Sequence, residues 1–167
     1  MYDIFNRFAE RLASSFDTLD LHDTLAETAS SLDLPLFAYL SDSRQTGRTP
    51  ELISTYPQNW TSRYLESHYQ DVDPVILQAR LRQETFRWDR VGCETDFSAR
   101  QRQLMDEASQ FGIRCGFTIP IHDRRGRFAA LTFTEKNLNI QPTITVRPGW
   151  PLRIIVHKDL VLRPYQG

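Results

Sequence analysis

Long apolar runs, clustered histidines, paired cysteines and an excess of positive charge are all missing from this chain. No stretch is apolar over the length a membrane-spanning helix needs, and the N-terminus is acidic and amphipathic, unlike a secretory leader. Cys93 and Cys115 lack metal-ligand spacing and read as two thiols in a reducing compartment, so a cytoplasmic location is expected. The 20 basic and 21 acidic residues leave a formal net charge of −1, which argues against a surface built to neutralise nucleic-acid phosphates. His22, His68, His122 and His157 are scattered without HExxH-type spacing. No nucleophile-elbow serine and no glycine-rich phosphate loop stands beside them. An enzyme, a metal site and a resident cofactor are therefore not expected.

What the chain does have is an aromatic and acidic middle. Tyr56, Trp60 and Tyr64 are spaced by four, Asp73-Pro74-Val75 follows, and then Phe86 and Trp88. Four-residue spacing puts the three aromatics on one helical face. The group combines a carboxylate acceptor, an indole N–H donor and two phenol groups amid apolar surface, which suits a small, mostly apolar ligand with a few polar atoms. Two plainer readings stand beside this one. An aromatic stripe at helical spacing also describes a packed core, and Asp73 before Pro74 also describes a helix N-cap with proline in the first turn. Capping and ligand binding are compatible, because a capping carboxylate keeps spare lone pairs.

With 167 residues and 40% hydrophobic content, the chain suits one globular domain with an appendage. Phe5, Phe8, Leu12 and Phe16 mark a first amphipathic helix. A second is predicted from a cap near Asp20, burying Leu21, Leu25 and Leu32 until Pro35 stops it. Strands are predicted over Leu36–Leu40, Glu51–Tyr56 and Thr85–Val91, with a loop from Ser41 to Pro50. Helices are predicted over Asn59–Tyr69 and Asp73–Arg82. Ser98 and Gln101 form a capping box for another, with Leu104, Met105, Ala108 and Phe111 on its apolar face and Gly112 as its stop. Cys115–His122 and Arg127–Thr134 then read as a hairpin. This order predicts an α+β fold, a mainly antiparallel sheet of about five strands between helical layers.

The character changes near residue 136. The segment 137–167 holds four of the nine prolines and no helical period, and Pro148-Gly149 fits a type II turn between short alternating stretches. The division expected is a ligand-binding domain over 1–136 and a β-rich tail over 137–167.

Taken together, Phe37-Ala-Tyr-Leu, Tyr56 with Trp60, Tyr64, Asp73-Pro-Val, Phe86 with Trp88, and Phe111-Gly-Ile-Arg-Cys-Gly-Phe-Thr-Ile-Pro-Ile resemble the N-terminal autoinducer-binding domain of LuxR-type quorum-sensing regulators, in particular the TraR-like subgroup linked to plasmid conjugal transfer. The resemblance covers residues 1 to about 135. It implies an α/β/α sandwich enclosing an N-acyl-homoserine lactone. By the same resemblance Trp60 would donate to the lactone carbonyl, Asp73 would accept from the ligand amide, and Tyr56 would donate to the amide carbonyl. Tyr64 and Trp88 would wall the ring and acyl chain, and Thr132 would help hold a 3-oxo group.

The tail departs from that family, whose members continue into a helix-turn-helix domain. Leu138 to Tyr165 instead resembles the end of TrbI-type conjugal transfer proteins. The expectation is a truncated regulator that binds the small-molecule autoinducer without binding DNA or membrane. It would form a homodimer, or a heterodimer with an intact LuxR-type regulator, and act as an antiactivator. A non-functional fusion relic and a conjugal-transfer channel fragment are the alternatives.

Overall fold

The computed structural model describes residues 7, 10–11, 14, 17–31, 34, 36–42, 49–89, 96–122 and 126–134. The expected first helix through Phe5, Phe8, Leu12 and Phe16, and the tail after residue 134, lie outside the described residues.

Helix α1, Thr18–Ser31, starts before the predicted cap. Asp20 is already inside it, and the Asp17 carboxylate accepts from the Asp20 backbone N–H at 2.8 Å, satisfying one of the first-turn donors. Leu21, Leu25 and Ala29 recur every four residues and are buried against Phe37, Phe117, Leu131 and Phe133 of the sheet. Burial of each leucine contributes roughly 1.5–3 kcal/mol.

The sheet has five strands: β1 (Leu36–Asp42), β2 (Glu51–Ser54), β3 (Phe86–Asp89), β4 (Cys115–His122) and β5 (Phe128–Thr134). Their spatial order is β2-β1-β5-β4-β3, and every neighbouring pair is antiparallel. The central strand β5, Phe-Ala-Ala-Leu-Thr-Phe-Thr, is buried along its whole length because both faces are covered. Side chains alternate across the sheet. Phe37 and Tyr39 therefore pack with α1, whereas Ala38 and Leu40 look toward the opposite layer.

That second layer holds α2 (Gln58–Glu66), a 3-10 turn (Tyr69–Asp71), α3 (Pro74–Leu81) and α4 (Ala99–Gln110). The helix predicted over 59–69 ends early because His68 adopts a left-handed conformation, φ 51°. This breaks the ladder and redirects the chain toward α3. The predicted caps are present. Asp73 accepts from the backbone of Val75 (2.8 Å) and Ile76 (3.4 Å), ahead of Pro74 in the first turn. Ser98 and Gln101 exchange both bonds of a capping box, and Gly112 follows α4 at φ 80°, a conformation costly for residues with a Cβ.

The fold is thus the α+β sandwich expected, with element boundaries corrected by a residue or a few, as β1, β2 and β3 show. β1 extends through Ser41 and Asp42 into the predicted loop, β2 stops at Ser54, and β3 begins at Phe86. Helix α4 is tied to the α2–α3 segment from outside. Arg63 donates to Glu107 through Nε and a terminal nitrogen, both at 3.1 Å, and the Gln101 side chain donates to the Val72 carbonyl at 3.1 Å.

Candidate ligand-binding site

Between the sheet and the layer formed by α2, α3 and α4 lies a cavity that opens to solvent at its mouth. Tyr56, Trp60, Tyr64, Asp73, Trp88 and Thr132, all singled out in the sequence, line it together. Different elements deliver them. α2 carries Trp60 and Tyr64 on one face, the turn into α3 carries Asp73, β3 carries Trp88 and β5 carries Thr132. The rest of the lining is apolar, including Leu40, Leu52, Ile76, Met105 and Ala130.

The polar groups are concentrated at one end. Asp73 is the central one. Its Oδ1 caps α3, and its Oδ2 accepts the Tyr64 hydroxyl at 2.7 Å. Burial pushes the Asp73 carboxyl above its ordinary pKa, and the bonds from Tyr64, Val75 and Ile76 oppose that rise by favouring the charged form. Burial likewise raises the phenol pKa values of Tyr56 and Tyr64, so both stay protonated and keep an O–H to donate. Trp60 is buried, and its indole N–H has no hydrogen-bond partner among the described residues.

A second network runs along the strands. The Tyr56 and Thr134 hydroxyls are 2.5 Å apart. The Trp88 indole donates to Thr118 Oγ1 at 3.1 Å, and Thr118 shares a bond with Thr132 at 2.9 Å. Hydroxyls can donate and accept at once. With Trp88 supplying a donor to Thr118, the Thr118 proton can be given to Thr132, leaving the Thr132 proton for a group in the cavity.

Sequence reasoning passed over Thr118 and Thr134. Their parity along β4 and β5 matches Thr132, a period-two pattern that could have marked them. It also passed over Gly116, which pairs with Trp88 and Thr134. A Cβ there would overlap the Phe133 carbonyl oxygen and meet Trp88 Cζ2 at 3.1 Å. The missing side chain lets the indole lie close over the sheet. A glycine inside a strand is the signal for such an approach.

The aromatics do pack on one another as the plainer reading expected: Trp60 lies 5.9 Å from Tyr64, 6.2 Å from Tyr69 and 5.4 Å from Phe111 between ring centroids. Of these four, Trp60 and Tyr64 also border the cavity, so core and lining share those two rings. His22, His68 and His122 are not among the lining residues, nor is the buried Cys115, which forms no disulfide among the described residues. No metal-binding group of histidine, cysteine or acidic side chains occurs among the described residues. Among those same residues, no helix is long and apolar enough to cross a membrane.

A largely apolar cavity with donors and an acceptor in its lining suits a small molecule, and known proteins name the family. The model of the autoinducer binding domain matches residues 17–148. The chain belongs to the autoinducer-binding domain family. Its relatives are transcription regulators. It is 30% identical over 130 residues to the transcriptional activator protein TraR of Rhizobium radiobacter, covering 78% of this chain and 54% of the relative. It is 32% identical over 121 residues to the transcriptional activator protein EsaR of Pantoea stewartii subsp. stewartii, covering 72% and 47%. The chain thus spans about half the length of these curated relatives. As an autoinducer-binding domain it shares its fold with the N-acylhomoserine lactone dependent LuxR family transcription factor CepR2 from Burkholderia cenocepacia. The TM-score is 0.70 at 20% identity, over 83% of this chain and 80% of that one.

Proposed function

We propose that this autoinducer-binding domain holds an N-acyl-homoserine lactone in the cavity, polar head at the Asp73 end and acyl chain against the apolar lining. The observation that carries the reading is the pairing of an acceptor, Asp73, with the Trp60 and Tyr56 donors in an otherwise apolar cavity. A buried ligand amide needs both kinds of partner, since each group left without one costs about 1–3 kcal/mol. Asp73 takes the amide N–H, Tyr56 donates to the amide carbonyl, and Trp60 donates to the lactone carbonyl. Tyr64 and Trp88 wall the ring and chain, and Thr132 offers its hydroxyl to a 3-oxo group.

The test is expression and thermal unfolding with and without a panel of acyl-homoserine lactones. A ligand that binds only the folded state stabilises it by about 2.7 kcal/mol at a hundredfold excess over its dissociation constant. An unchanged melting temperature with every lactone tested would remove the proposal.

The reading extends to partners. A cytoplasmic chain that captures lactone lowers the amount free for an intact LuxR-type regulator, and so acts as an antiactivator. Operator binding by such a regulator, titrated with this chain, separates two routes. Saturating lactone relieves capture, whereas inhibition through a heterodimer persists. No inhibition at either lactone level rejects both.

A further inference from the structure

On the cavity face of the sheet, side chains recur every second residue and form rows across the strands. The register sets Thr132 level with Ala38 and Thr118, Ala130 level with Leu40 and Pro120, and Phe128 level with Asp42 and His122. Ala38, Thr132, Leu40 and Ala130 border the cavity, and no residue of the third row does. The sheet's share of the lining therefore ends at the Leu40–Ala130 row, and one row beyond it Phe128 is buried in a cluster with Leu40, Ala130 and Ile76.

Phe128 is held from both sides. The Arg80 guanidinium lies over its ring, 4.6 Å from the centroid, and the His122 ring stands 5.3 Å away. Arg80 also pairs with Asp42, whose side chain is completely buried. Arg80 cannot swing off the ring without giving up its ion pair with that buried carboxylate. Two unrelated forces, charge pairing and cation–π attraction, thus keep one ring in place.

We propose that Phe128, pinned by Arg80 and Asp42, is the stop that sets the longest acyl chain the cavity admits. This rests on the lactone reading and deepens it by naming the determinant of chain length. From Thr132 to Phe128 is four strand residues, roughly 13 Å at about 3.3 Å each. A chain laid along that path meets the ring, and a longer one must displace it. Phe128, one row beyond the lining, is the stop, and Arg80 is a positioning residue.

The experiment compares butanoyl, hexanoyl, octanoyl, decanoyl and dodecanoyl homoserine lactones by thermal shift and by affinity, on the full chain. For the wild type, stabilisation is expected to rise with chain length, pass a maximum and fall before dodecanoyl. In Phe128→Ala the maximum moves to a longer chain, each methylene newly admitted gaining roughly fourfold in affinity. Phe128→Leu, which keeps an apolar side chain and protects folding, moves it less far. Arg80→Lys keeps a charge for Asp42 but loses the flat face on the ring. It is expected to narrow the discrimination against dodecanoyl while keeping the affinity for the preferred lactone, a change that a purely structural role would not produce. A wild-type response still rising at dodecanoyl, or one maximum shared by the wild type and all folded variants, overturns the stop. Absence of any lactone effect on the wild type is a different result, which sinks the lactone reading itself and the stop with it.

Discussion

Asp73→Ala is the substitution with the widest consequences, because one carboxylate serves a helix, a phenol and the cavity. Its removal deletes the cap of α3, the bonds to Val75 and Ile76, at about 0.5–2 kcal/mol. It also strips the Tyr64 hydroxyl of its acceptor at 2.7 Å, and that ring is only 8% exposed. An orphaned buried hydroxyl costs about 1–3 kcal/mol. Against these stands relief from burying the carboxylate, the same cost that raises its pKa. A net loss of about 1–3 kcal/mol is expected in the ligand-free protein, which for a chain of this size lowers Tm by roughly 2–4 °C per kcal/mol. Asp73→Asn keeps an oxygen for the cap and is expected to lose less. Lactone affinity should follow the order wild type, Asn, Ala. The assay is thermal unfolding of the three proteins over a lactone titration, with a Tyr64→Phe, Asp73→Ala double-mutant cycle to isolate the phenol bond. Lower ligand-free stability with unchanged affinity would reduce Asp73 to a cap. Unchanged stability and affinity together would refute the geometry.

Trp60→Phe removes an indole N–H that has no partner among the described residues, so ligand-free stability should change little while lactone affinity drops by about 0.5–1.5 kcal/mol, measured by calorimetry; equal losses in both would assign Trp60 to packing alone. Gly116→Ala forces a methyl into the Phe133 carbonyl and toward Trp88, and overpacking of this kind costs typically about 1–3 kcal/mol, read as a lower urea midpoint. Loss of lactone affinity should accompany it, since the Trp88 ring must move. The Arg63 guanidinium, first, and the Gln103 amide hold the Glu107 carboxyl down at about 2, against a burial effect in the other direction. A lowered folded pKa means stability that is present above the ordinary carboxyl range and lost as pH falls toward 2. Melting curves between neutral pH and pH 2 should therefore show a larger acid loss in the wild type than in Glu107→Gln, and parallel curves would contradict the pair's contribution.

Much of the architecture was determined by the sequence itself. Asp73-Pro74, the Ser98–Gln101 box and Gly112 each act through backbone groups a few residues away, so their reading needs no knowledge of the rest of the chain. Asn59–Tyr69 was misjudged as one helix, because the left-handed turn at His68 has no glycine or asparagine to announce it. The aromatic spacing and Asp73 also marked the candidate site, although the same residues fitted a plain core. Tertiary structure decided that they are both: rings packed on one another and bordering a cavity. It alone brought Thr118 beside Thr132, set Tyr56 against Thr134 across 78 positions of sequence, and joined Asp42 to Arg80 under the ring of Phe128. Such pairs depend on strand register and on which helix face meets the sheet. A one-residue slip would turn every one of those strand side chains to the opposite face. The local pattern constrains periodicity, but the partner across the gap is chosen only when the layers close and polar groups must be matched inside them.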